Sequence, residues 1–224
     1  MLKERRRVKG LLLAVLLLPG VVMADAGQAD PLEGYNRAMF SFNDKADRWV
    51  LKPVAKGYRY VTPDFFERGV SRMFSNLGEV LNVVNDLLQG KVGQAGNDGG
   101  RLLINSTIGI AGFFDVAKHA GLEKSAGEDF GQTFGAWGVG EGAYVVLPFW
   151  GPSTLRDAPS LLLDSVFNPI GEVDHVPTRN QLYGANVVSV RADLLEAEKL
   201  IKGDRYAFIR DVYLQRRQFL VNDG

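Results

Sequence analysis

Leu102–Phe114 (LLINSTIGIAGFF) runs for thirteen residues without a charge, between Arg101 and Asp115. Two later stretches share its character. Gly142–Leu155 (GAYVVLPFWGPSTL) carries no charge and two prolines, and Leu161–Ile170 carries only Asp164. A helix needs about 20 apolar residues to cross a bilayer core, and none of the three reaches that length. All three are nevertheless too apolar for ordinary surface. They belong either in a buried core or in segments that enter a membrane without spanning it.

The flanking sequence is helical in rhythm. Tyr35, Met39, Phe42, Ala46 and Trp49 recur at spacings of four, three, four and three, one face of an α-helix that Pro53 should break or kink. A second helix is expected over Lys52–Val61, with Thr62 or Asp64 capping the next. Phe66, Val70, Met73, Phe74, Leu77, Val80, Leu81, Val84, Leu87 and Leu88 keep a 3.6-residue period, and Gln89-Gly90 should end that helix. Arg179–Lys202 reads as one helix stopped by Gly203. Asp204 then caps a last helix with Tyr206, Ile209, Val212, Tyr213 and Phe219 inward and Arg205, Arg210, Arg216 and Arg217 outward. Fourteen of the 26 glycines fall within residues 90–142, where the backbone must turn or pack closely. Only Ala143–Phe149 has strand character, and periodicity does not separate it from a buried helical piece. The expected fold is a single all-α domain.

The amino terminus reads as an export signal. Residues 1–10 hold five cations and one anion, Leu11–Leu18 is an unbroken apolar run, and Val22-Met23-Ala24-Asp25-Ala26 offers small residues for cleavage after Ala24 or Ala26. The expected organisation is a signal peptide at 1–26 and one domain at 27–224. The whole chain has 26 Lys+Arg and 26 Asp+Glu, and removal of residues 1–26 leaves 21 against 24. This balance argues against a basic nucleic-acid binder. With no cysteine, disulfides, thiolate metal sites and thiol nucleophiles are excluded, as is a thioether-linked lipid.

Signals for catalysis are weak. His119 and His175 have no H-x-x-x-H partner, so no metal site is expected. Ser106, Asp115 and His119 lie within fourteen residues, but no nucleophile elbow places the serine against the imidazole. In Gly138–Gly142 (GVGEG) the residue that should complete a dinucleotide loop is Ala143, and no P-loop occurs. Glu128, Asp129, Asp157 and Asp164 read as helix caps and ion pairs. No cofactor and no enzymatic activity are expected. The informative residues are Phe149-Trp150 beside Gly151-Pro152: two large rings at a forced turn, either a packed core turn or an aromatic anchor at a bilayer interface.

Four segments together resemble the VacJ/MlaA family of outer-membrane phospholipid-transport proteins. They are Asp30–Asp44 (DPLEGYNRAMFSFND), Leu87–Lys91 (LLQGK), Arg101–Ala117 (RLLINSTIGIAGFFDVA) and, above all, Phe130–Asp157 (FGQTFGAWGVGEGAYVVLPFWGPSTLRD). The resemblance implies a ring-like domain of amphipathic and membrane-dipping helices on the periplasmic side of the outer membrane, often beside a trimeric porin. It further implies an amphipathic channel through which phospholipid leaves the outer leaflet for a soluble periplasmic carrier, maintaining lipid asymmetry. On that reading Asn43, Asp47, Arg156 and Asp157 are candidates for the polar lining of the path. Phe113, Phe114, Phe149, Trp150, Leu162 and Phe167 are candidates for membrane contact. Two departures stand out. The family's usual lipobox cysteine is missing from Leu18–Ala26, so attachment must rest on embedded apolar surface or the protein is partly soluble. The usual Gly-Pro-Tyr is Gly142-Ala143-Tyr144. The alternatives are a soluble periplasmic hydrolase using His119 and a structural partner of porins that passes no lipid.

Overall fold

The structure, a computed structural model, describes residues 30–222. The expected signal peptide at 1–26 lies outside the described residues. The apolar rhythm of Tyr35–Trp49 becomes α1 (Glu33–Ala46), a π-helical turn (Asp47–Leu51) and α2 (Lys52–Val61) in one continuous right-handed run. Pro53 does not break it. Proline has no N–H to place in the helical ladder, and the widened turn just before it absorbs the mismatch.

Pro63 starts α3 (Asp64–Gln89), and Gly90, at φ 78°, ends it by returning its N–H to Asp86 O and Leu87 O. Helix α4 (Val92–Thr107) packs antiparallel to α3 through the short Gly90-Lys91 link. The first uncharged stretch is thus divided. Its front half completes α4, and Ile108–Phe114 folds into successive turns with Ile110, Ala111 and Gly112 at φ 54°, 55° and 90°. Left-handed backbone at a β-branched residue is costly, and two contacts enforce it. Asn105 O accepts the Gly112 N–H at 2.7 Å, and the Phe113 ring sits on Gly69, where a Cβ would come within 2.1 Å of ring carbon.

Helix α5 (Phe130–Ala136) is capped by Asp129, whose carboxylate accepts the Gln132 N–H at 2.8 Å. The strand-like stretch is indeed a strand. β1 (Tyr144–Leu147) pairs antiparallel with β2 (Gly151–Thr154), Tyr144 opposite Thr154 and Leu147 opposite Gly151, around a tip of Pro148, Phe149 and Trp150. Then come α6 (Asp157–Val166), α7 (Val176–Asp193) and α8 (Arg205–Val221), the last capped by Asp204 as expected. Apart from this hairpin the described residues are all-α. Contacts close a circuit: α1–α2 to α7, α7 to α3, α3 to α5, α5 to α8, α8 to the hairpin and the hairpin back to α1. The domain is ring-like for that reason.

Two expectations need correction. Arg179–Lys202 is not one helix, because α7 stops at Asp193 and residues 194–200 turn back. A straight helix would carry Glu198 about 10 Å along the axis from Arg191. The turn instead brings Glu198 Oε2 to 2.6 Å from Arg191 Nη2. In α8, Val212 and Phe219 point out while Arg217 is buried.

The outward side chains of α8 belong to a general pattern, the membrane-entering alternative that the uncharged stretches left open. Among the described residues the buried set comprises 11 hydrophobic and 18 polar or charged side chains, and Glu79 heads the largest that are fully enclosed. Large apolar side chains face outward along α1, α2, α3, α7 and α8, with Tyr60 91% exposed and Trp49 82%. The apolar cores are small: Ala55, Ala192 and Leu195 in one, Tyr144, Val146 and Tyr206 in the other. Polarity is inverted relative to a water-soluble globule.

Candidate functional site

A half-enclosed cavity of about 780 Å³ opens between α3, the hairpin tip, α6 and α7. Its walls are apolar where α3 contributes Phe74, Leu77 and Leu81 and the tip contributes Phe149 and Trp150. From α6, α7 and the residues between them, Asp164, Ser165, Asn168, Tyr183 and Asn186 add polar groups among Leu161, Pro169, Ile170 and Val187. Asp164 is the one charged residue on its lining. This is an amphipathic space, mostly apolar, with five polar side chains set into its lining.

The hairpin tip is placed by α1. Asn36 is fully buried; its Nδ2 donates to Tyr144 O at 3.0 Å and its Oδ1 accepts the Val146 N–H at 2.8 Å. Asn43, seven residues on and therefore on the same helix face, donates to Leu147 O at 2.9 Å and accepts the Phe149 N–H at 2.8 Å. The free edge of β1, which would otherwise expose a row of unpaired groups, is closed by two carboxamides of a helix. Phe149 sits at φ 65° with its ring edge-on to Phe42, centroids 5.2 Å apart.

The other candidate lining residues lie in ion-pair clusters. Asp47 holds Arg191 in a fork at 2.7 and 2.9 Å. Arg191 also holds Glu198, which takes Lys52 at 2.9 Å and Arg205 at 2.8 Å. Burial works against the Glu198 carboxylate, but these three donors outweigh it and bring its pKa down to about 2. Asn43 and Asp47 border a second groove of about 490 Å³, between α1, the hairpin, the 194–201 turn and α8. Arg156 and Asp157 are buried and paired at 2.7 Å. The other Asp157 oxygen meets Arg217 at 2.9 Å and accepts from Tyr213 at 3.1 Å, while Arg217 forks onto Asp129. This cluster ties α5, α6 and α8 together behind the cavity. Glu128, Asp129 and Asp157 thus serve as caps and ion-pair partners, as their scatter in the sequence suggested.

Of the candidate membrane contacts, Phe114, Phe149, Trp150, Leu162 and Phe167 are exposed. Phe113 is half-buried in an edge-to-face group with Phe65, Phe66 and Phe114. Two of the three residues of the Ser106, Asp115 and His119 set are engaged elsewhere. Ser106 Oγ accepts from Asn76 and Asp115 is held by Arg101 and Asn105, while the other histidine, His175, caps α7. No group of three potential metal ligands forms among the described residues.

Asp164, expected as a cap or ion-pair partner, is half-buried, and Asp86, which the sequence reading passed over, is buried. Asp164 Oδ1 accepts the Phe130 N–H at 3.0 Å. Burial pushes its pKa up to about 7, Asp129 and Asp157 adding repulsion against the opposing pull of Phe130 N–H and Arg217. Asp86 is wholly enclosed, and neither carboxylate oxygen has a hydrogen-bond partner. Burial, then repulsion from Asp98 and Glu128, raises it to about 7 as well, with Lys91 opposing. Only one signal was available in advance, a lone acid inside the uncharged Leu161–Ile170 stretch.

The fold and site define an α-helical protein with a polar interior, an apolar rim and an open amphipathic cavity. The chain belongs to the MlaA lipoprotein family, whose model matches residues 28–220. It is 35% identical to the intermembrane phospholipid transport system lipoprotein MlaA of Shigella flexneri and to that of Escherichia coli K12, in each case over 97% of this chain and 90% of the relative. Identity to the Haemophilus influenzae protein of the same description is 34%, over 87% of this chain and 80% of that one. A solved structure described as the structural basis for maintenance of bacterial outer membrane lipid asymmetry superposes with a TM-score of 0.75. That match has 33% identity and covers 87% of this chain and 100% of the other. The relatives are described as lipoproteins, whereas these 224 residues contain no cysteine.

Proposed function

We propose that this chain sits in the outer membrane from the periplasmic side and moves phospholipid out of the outer leaflet through the 780 Å³ cavity, preserving lipid asymmetry. The observation that carries this reading is the inversion of polarity around an amphipathic opening. Fully burying one large apolar side chain is worth about 1.5–3 kcal/mol, against a net folding stability of roughly 5–15 kcal/mol. A rim bearing Trp49, Tyr60, Phe149 and Trp150 is therefore costly in water and favourable in lipid. No described helix is long and apolar enough to cross a membrane, so the ring would lie within the bilayer by its rim. Its headgroup-facing groups would be shielded inside it, since a bare charge in hydrocarbon costs several kcal/mol.

The names of the relatives and the solved structure support the same substrate class. Delivery to a soluble periplasmic carrier and a place beside a trimeric porin extend the proposal by family resemblance. With no P-loop in the sequence, flux follows a gradient or the pull of those partners.

The test is a plug. Gly78 lines the cavity, and a Cβ there meets nothing within 4 Å. Gly78→Trp should therefore fill the space without disturbing the fold. In cells lacking the chain, wild type is expected to lower surface-exposed phospholipid, and Gly78→Trp, present at equal membrane level, to fail. Full activity of the plugged variant would refute passage through this cavity.

A further inference from the structure

We propose that the polar groups set into the cavity lining select phospholipids whose headgroup carries a primary ammonium, with Asp164 receiving the ammonium and Tyr183 and Asn186 donating to the phosphate. This rests on the cavity being the lipid path.

The lining holds one carboxylate and neither lysine nor arginine. The nearest cations are already spent. Arg217 is bound by Asp129 at 2.9 Å and Asp157 at 2.9 Å, and Arg156 by Asp157 at 2.7 Å. An anionic headgroup entering here finds no positive charge and meets Asp164. A zwitterionic headgroup brings its own counter-charge, and charge-assisted hydrogen bonds from an ammonium to a carboxylate are about twice as strong as neutral ones. Asp164 Oδ1 is held by Phe130 N–H, and Oδ2 has no hydrogen-bond partner among the described residues. The side chains of Tyr183 and Asn186 hydrogen-bond to no described residue, so both have donors to offer. The Tyr183 and Trp150 rings lie on the same lining and add a cation-attracting surface. The raised pKa of Asp164 fits a carboxylate buried with no free cation beside it. An ammonium supplies what the fold withholds.

The full chain, purified in detergent, is offered equal phosphatidylethanolamine and phosphatidylglycerol, and bound lipid is quantified by mass spectrometry. Wild type should prefer phosphatidylethanolamine. Asp164→Asn keeps the acceptor for Phe130 N–H and should lower that preference roughly tenfold, the scale of one charged hydrogen bond. Asn186→Lys puts a competing ammonium in the cavity and should reverse the preference, which decides the matter even if the Asp164 variant folds poorly. Soluble glycerophosphoethanolamine, lacking acyl chains, should not displace bound lipid. Equal binding of both lipids by wild type, or an unchanged ratio in both variants, overturns headgroup selection alone. Displacement by the soluble headgroup assigns the site to small amines and overturns it too. Failure of wild type to bind either lipid overturns the lipid path itself.

Discussion

Asn43 of α1 holds the backbone N–H of Phe149 at 2.8 Å, at the one position of the hairpin tip where a large side chain is kept in the left-handed region, φ 65°. A helix side chain thus does for β1 what a third strand would do. Phe149 and Trp150 line the cavity, so this one carboxamide links α1 to the shape of the opening. Asn43→Ala leaves the Phe149 N–H and the Leu147 carbonyl without their partner and removes the restraint on a strained residue. The expected cost is about 1–3 kcal/mol, read as a lower unfolding midpoint in micelles, with faster chymotryptic cleavage at Phe149-Trp150. Identical midpoints and cleavage rates would show that the tip holds itself.

Arg217 is the shared cation of Asp129 and Asp157 and is itself buried. Arg217→Ala strips Asp129 of its cation and leaves Asp157 with Arg156 and Tyr213, and loss of one partner of a buried pair costs about 3–5 kcal/mol. Gly131 lies against the same cluster; a Cβ there would come within 2.5 Å of Asp157 Oδ1 and 2.6 Å of Arg217 Nη2. Gly131→Ala should therefore damage the cluster in the same direction. Thermal unfolding of both variants and the double variant should show a loss well short of additive, because each breaks the same contacts. Full additivity would count against a single cluster.

The positions of most helices were legible. Their periodicity, Gly90 after α3 and Asp204 before α8 are local signals that need no partner, whereas neither Thr62 nor Asp64 caps α3, which starts at Pro63 with no side-chain cap. The strand-like character of Ala143–Phe149 was visible, but what completes β1 was not, because Asn36 and Asn43 are more than a hundred residues away from it. The direction of the faces was misread in α8, where Val212 and Phe219 point out, and was left open for the uncharged stretches. Periodicity reports that Leu87 and Leu88 oppose Asn85 and Asp86, but not which side meets protein, and here Asn85 and Asp86 are inside. The rule that apolar means interior assumes water outside. Of the candidate lining, the sequence offered Asn43, Asp47, Arg156 and Asp157, and neighbours such as Arg156 and Asp157 can pair locally, but that Arg217 of α8 would join them was not visible. Tyr183 and Asn186 gave no signal, since a polar residue on α7 looks the same whether it faces a cavity or a solvent.

Stability should depend on pH in two opposing ways. Asp86 and Asp164 rise from ordinary carboxylate values to about 7 in the folded chain. The folded state then binds more protons than the unfolded one between about pH 4 and 7, so this contribution is complete below that window and is lost as pH rises through 7. Glu198, held down to about 2 by Lys52, Arg191 and Arg205, acts the other way, adding stability as pH rises from 2 past 4.5. The unfolding midpoint is therefore expected to peak near pH 5 and decline toward pH 8. Three units at 1.36 kcal/mol each set an upper bound of about 4 kcal/mol for Asp86. Asp86→Asn, neutral at every pH, should flatten the alkaline decline while leaving the acid limb alone. An unchanged alkaline slope would place the titration elsewhere.

The outward rings make the sharpest prediction, because burial in lipid and burial in protein differ in what a substitution changes. Trp49 and Trp150 are 82% and 72% exposed, so neither holds the fold together through protein contacts. Trp49→Ser and Trp150→Ser should each leave the unfolding midpoint in water within about 0.5 kcal/mol of wild type. Each should weaken partition into phospholipid vesicles by roughly tenfold, the equivalent of 1.4 kcal/mol from one large ring leaving hydrocarbon. Vesicle flotation measures the second quantity and calorimetry the first. The opposite pattern, intact flotation with a lowered midpoint, would mean that these rings are covered by protein, and a lipid-facing rim could no longer be the reason for the polar interior.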